Sequence, residues 1–117
     1  MSSSTVRAEQ LGEVRDLVWR IVNEWADREK RRLEEKRDDW CLSGILASVF
    51  RELETARFDR FRTVFTNRVT QCCTMSQQEY VLLADWLAQD WEQVKDLALM
   101  SLAAARGRLE KAESPEA

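Results

Sequence analysis

The sequence predicts an all-α fold, a compact bundle of three to four helices with long first and last members. Three observations carry that expectation. The 117 residues contain only 3 Gly and 1 Pro, and Pro115 sits in the C-terminal tail, so little interrupts a helix. Hydrophobic residues make up 44% and charged ones 33%, a mixture that suits amphipathic helices joined by short turns. The apolar residues also recur in steps of three and four rather than two. A chain of this length can bury a core as one domain without a metal or disulfides. We therefore take 1–117 as a single helical-bundle domain, with disordered tails at about 1–4 and 110–117.

The first helix is expected to begin at Ser4 or Thr5 and run to about Arg37. Its stripe is Leu11, Val14, Val18, Ile21, Val22 and Trp25. From Asp27 to Asp39 the one apolar residue is Leu33, so that stretch should project beyond the core or line a charged interface. Glu24–Arg28 and Asp27–Arg31 are candidate i,i+4 ion pairs within it.

Asp38 or Asp39 could cap a second helix over about Trp40 to Leu53, with Leu42, Ile45, Leu46, Val49, Phe50 and Leu53 on one face. Phe58, Phe61, Phe65, Val69 and Cys72 form a further stripe, rotated by roughly a third of a turn. One straight helix would force Arg57 and Arg68 into the core, and burying unpaired guanidinium groups is expensive. A break near Glu54–Ala56, with Thr55 as cap, avoids this; whether residues 40–72 form one kinked helix or two stays open. Strand alternation is excluded, because it would put Phe58 and Phe61 on opposite faces.

Ser76 and Glu79 make a capping box for the last helix, and Met75 with Tyr80 a hydrophobic staple. From there a stripe runs unbroken to about Leu109 through Tyr80, Ala84, Leu87, Trp91, Val94, Ala98, Leu102 and Ala105. A second seam contains Leu82, Trp86, Leu97, Met100 and Ala104. A helix apolar on two sides is either central in its bundle or shared with another chain.

Composition narrows function more by exclusion than by motif. The chain has no His, which removes histidine-activated nucleophiles and histidine-dependent metal motifs. There is no Gly-rich phosphate loop. No catalytic, cofactor-binding or metal-binding residue is assigned, and the chain is read as not an enzyme. Cys72 falls on the Phe stripe as a small core residue, whereas Cys73 is expected as a surface thiol. Three Cys, an odd number, point to a reducing, cytoplasmic setting. No apolar run is long enough to span a membrane, and no signal peptide is apparent.

The expected role is a non-catalytic subunit or adaptor that binds another protein chain, a copy of itself or a different one. Trp19, Leu82, Trp86, Leu97 and Met100 are the candidate interface, since Trp and Met favour interface cores. The alternative reading rests on arginine. The chain has 14 Arg against 4 Lys, and residues 28–68 hold 11 basic and 8 acidic residues. Arg28, Lys30, Arg31, Arg32, Lys36 and Arg37, with Arg57, Arg60 and Arg68, are the candidate contacts to an RNA or DNA backbone. Two features oppose it: acids are interspersed, and helix 4 offers carboxylates for pairing within the chain. In size and helical content the chain is similar to the small helical subunits of CRISPR effector complexes and to small phage proteins that bind host factors. The first resemblance implies nucleic-acid contact within an assembly, and the second a protein partner.

Overall fold

The computed structural model describes residues 3–36 and 41–113, which are helical almost throughout. Helix α1 spans Ser3–Lys36, α2 Leu42–Thr55 and α3 Phe58–Val64. A π-helical turn over Phe65–Val69 and a 3-10 turn over Thr70–Cys72 lead to α4, Gln77–Glu113. Both ends are helical further out than the composition suggested. The remainder of the expected tails, and the proposed caps Asp38 and Asp39, lie outside the described residues. Helix α2 starts later than expected, at Leu42, with Cys41 in the cap position.

The break between α2 and α3 is where the stripe rotation placed it. Ala56 and Arg57 are both extended, and Phe61 and Phe65 reach the core on the far side of the break. Thr55 is not the cap. Its hydroxyl donates back to the Arg51 carbonyl at 3.0 Å, and Arg57 occupies the cap position of α3 without a side-chain bond. The stretch 58–72 is not one α-helix either. Its π and 3-10 turns displace carbonyls from the regular ladder, and side chains help cover them. Thr70 Oγ1 donates to Thr66 O at 2.8 Å, and Cys73 Sγ to Val69 O at 3.1 Å. The same thiol reaches Ile21 O of α1 at 3.1 Å. Cys73 therefore faces α1 and is half-buried, rather than standing on the surface.

Helix α4 is not straight. Asp90 has φ −151° and ψ 59°, with helix on both sides. At 1.5 Å per residue, a straight helix would separate residues 79 and 108 by roughly 43 Å. Yet Glu79 binds Arg20 at 2.7 Å, and the Arg108 guanidinium lies 5.0 Å from the ring of Trp19, the neighbouring residue on α1. The chain must fold back at Asp90. The first arm, 77–89, and the second arm, 91–113, both lie against α1.

The core joins Val14, Val18, Ile21, Val22 and Trp25 of α1 to Leu46, Val49 and Leu53 of α2. Phe61, Phe65 and Val69 add to it, as do Leu83, Trp86, Val94, Leu97, Ala98, Leu102 and Ala105 of α4. Phe61 stacks on Phe65 at 5.4 Å and meets Trp91 at 5.9 Å. The long dimension of 53 Å is about the length of α1 itself, so the charged end of α1 makes the molecule longer than its 30 × 28 Å cross-section. Leu33 is buried there, outside the main cluster. The expected Glu24–Arg28 and Asp27–Arg31 pairs are not formed. Among the described residues, Arg20–Glu24 and Arg32–Glu29 are the ion pairs along that part of α1.

Candidate functional site

The first arm of α4 buries Leu83 and Trp86 against the bundle. The half-buried Arg7 guanidinium lies 3.8 Å from the Trp86 ring centroid, a cation–π contact that contributes on the order of 1 kcal/mol. Because that face is turned inward, the expected stripe of Tyr80, Ala84 and Leu87 is left at the side. Tyr80 is 58% exposed and Val81 60%, Ala84 and Ala88 are exposed, and Leu87 is half-buried.

This uncovered stripe forms one wall of a groove. Phe58, Arg62, Thr66 and Thr70, spaced four apart, form the other, and Met75 closes one end. Leu83 is buried and belongs to its floor. The lining is apolar apart from two threonines, the Tyr80 hydroxyl and one charge, Arg62. The volume is about 230 Å³, below the roughly 300–1,000 Å³ of ordinary small-molecule sites. A hollow of about 640 Å³ between α1 and the first arm is larger but charged, lined by Glu13, Asp16, Arg20 and Glu79.

That second hollow holds the strongest electrostatic feature of the molecule. Glu79 accepts from Arg20 Nη1 at 2.7 Å and Nη2 at 3.0 Å, and also from the Ser76 N–H at 3.0 Å. The Ser76 hydroxyl in turn accepts from the Glu79 N–H at 3.1 Å. The predicted capping box is present and is tied to α1 as well. The Arg20 guanidinium, followed by the Ser76 amide, holds the Glu79 carboxyl down at about 2, while the Arg20 pKa is raised mainly by its bond to Glu79. Neither Arg20 nor Arg7 stands out in the sequence, since one polar residue looks like another on a helix wheel.

The five expected interface residues do not share one surface. Trp86 is 1% exposed and Leu97 6%, so both belong to the core. The fold-back at Asp90 turns them inward and makes α4 central, the other outcome open to a helix with two apolar faces. Leu82 is half-buried on the first arm, and Met100 is 66% exposed on the second. Trp19 is 41% exposed, with Arg108 over its ring.

The arginines fall into two groups. Arg60 and Arg68 converge on one carboxylate, Glu52 of α2, at 2.8 and 3.9 Å. Their acidic partner is thus on α2 and not on α4. Arg57 is exposed at the cap of α3. On α1, Arg28, Lys30 and Arg31 are exposed, and Arg32 is paired with Glu29 at 2.9 Å. The Lys36 side chain and Arg37 lie outside the described residues. Glu24, Asp27, Arg28, Arg31 and Thr74 share a small hollow of about 160 Å³, where the charges are again mixed.

Among the described residues no group of three or more Cys, Asp or Glu side chains could hold a metal ion, and no helix is long and apolar enough to cross a membrane. Comparison with family models, curated proteins and solved structures returned no match for the chain.

Proposed function

We propose that this chain is a non-catalytic interaction subunit whose groove between α3 and the first arm of α4 receives an apolar segment of another protein. One observation carries the reading: a helical stripe with the spacing of a core face, Tyr80, Ala84 and Leu87, is left uncovered beside Phe58 and Met75. An exposed apolar strip of this kind marks a binding surface. The small volume suits one or two anchoring side chains better than a cofactor. Arg62, the one charge in the lining, fits a carboxylate on the incoming segment, so the partner is an amphipathic helix with an acidic flank.

The nucleoprotein reading finds less support. Glu52 engages Arg60 and Arg68, two of the three candidate phosphate contacts on that side, and the exposed α1 cations sit among Glu24, Asp27 and Glu29. Phosphate binding calls for a patch of one sign.

A pull-down from native cell extract separates the two. Capture that survives nuclease and is lost in Ala84→Glu and Ala88→Glu, with helicity unchanged, is the expected result. A discrete gel-shift complex with RNA or DNA at low micromolar protein in about 150 mM salt, where screening acts over ~8 Å, would overturn the proposal in favour of the arginines.

A further inference from the structure

The fold-back of α4 turns on a single residue. Helix runs up to Asp90 and resumes directly after it, with no loop between. Nothing in the side chain fixes that break. Asp90 is neither Gly nor Pro, and its carboxylate takes part in no hydrogen bond or ion pair with a described residue. The flanking residues Leu87, Ala88, Gln89, Glu92 and Gln93 are helix-compatible. A change of two dihedral angles at one position would make α4 a continuous helix of 37 residues, about 55 Å long. In that form the stripe from Tyr80 to Leu109 becomes one face, as its regular steps of three and four imply.

The second arm cannot reach its own α1 and α2 once α4 is straight, but it can reach those of another molecule. We propose that Asp90 is a hinge through which two copies of this chain exchange residues 91–113, forming a domain-swapped dimer. Each exchanged arm regains in trans the burial of Val94, Ala98, Leu102 and Ala105. It also regains the Arg108 contact over Trp19 and the bond from Lys95 Nζ to Ala56 O at 3.1 Å. Because the contacts are the same in both forms, the balance rests on the hinge and on concentration. The hinge is also where apolar surface is left over. Ala84 and Ala88 are small and exposed just before it, so two straightened helices can approach closely where they cross.

The test refolds two labelled copies together. Protein carrying Trp19→Cys is mixed with protein carrying Arg108→Cys, unfolded, refolded at high concentration and treated with a short thiol-reactive bis-maleimide, whose span suits a contact made by the tips of two long side chains. An intermolecular link between positions 19 and 108, mapped by peptide mass spectrometry to distinguish it from the native thiols, is the expected product. Copies mixed without unfolding should give little of it. In light scattering, Asp90→Ala should raise the dimer association constant roughly tenfold, since each of two hinges gains a factor of about three from the better helix former. A flexible Gly/Ser insertion after Asp90 should restore the monomer. The unsubstituted protein, concentrated and refolded in the same way, guards against variants that merely misfold. A chain that stays monomeric both unsubstituted and as Asp90→Ala, or a dimer lacking the 19–108 link, overturns the proposal.

Discussion

The two arms of α4 are written in the same sequence pattern and are buried differently. In the second arm the stripe Val94, Ala98, Leu102 and Ala105 lies in the core, as its spacing predicts. In the first arm the same stripe, Tyr80, Ala84 and Leu87, faces a groove, and Leu83 with Trp86 takes the core position. The difference arises at Asp90, where the chain turns back on itself. The arms then have different neighbours: the second meets α1 and α2, with Trp91 at its start against Phe58 and Phe61 of α3, whereas the first has α1 on one side and, across the groove, the α3 segment on the other. Periodicity identifies which residues could share a face. Which face is buried depends on where the neighbouring helices lie.

The largest expected effect breaks this comparison at Trp86. Trp86→Glu would place a carboxylate where 1% of the indole is exposed, and the protein should lose cooperative thermal unfolding as followed by circular dichroism. If helicity and melting survive, the first arm does not bury the face described above. Next comes a matched pair. Leu102→Ala should cost about 2–5 kcal/mol in denaturant unfolding as a core cavity mutation, and Leu87→Ala, in the half-exposed groove, about half that or less. Equal losses would mean that the arms are buried alike.

A smaller effect appears with pH. Glu79 is held at about 2 in the folded chain against an ordinary 4.5. As pH falls the unfolded chain takes up this proton first, so the contribution of Glu79 is fully present above about 4.5 and is lost between there and about 2. Melting temperatures across that window should fall, and Glu79→Gln should flatten part of the slope. A slope unchanged by Glu79→Gln would remove the link between the first arm and α1. The smallest effect belongs to Tyr80→Ala. The side chain is largely exposed and lines the groove, so stability should move by no more than about 0.5 kcal/mol while partner capture through the groove is lost.

Much of the architecture was legible in the residues themselves. The shortage of Gly and Pro, the rotated stripes on either side of Ala56 and the Ser76–Glu79 box each have a local physical cause, and each appears in the structure. The fold-back left no such mark. Asp90 is neither Gly nor Pro, its carboxylate caps nothing among the described residues, and the stripe runs through it without interruption. The groove could not be read, because Phe58, Arg62 and Thr66 acquire a common role only when α3 is placed beside the first arm. The expected Trp86 and Leu97 interface went astray for the same reason: on a wheel, a second apolar face looks the same whether it meets a partner or the chain's own α1.

Glu79 is where local and long-range order meet. The carboxylate that closes the capping box with Ser76 is the one that grips Arg20, 59 positions away in the chain. The start of α4 is therefore not free to fray as helix ends usually do. The backbone amides of Ser76 and Glu79 should exchange with solvent more slowly than those of an ordinary helix end, and Arg20→Ala should remove part of that protection. During folding, this helix start gains its full stability only after α1 has arrived.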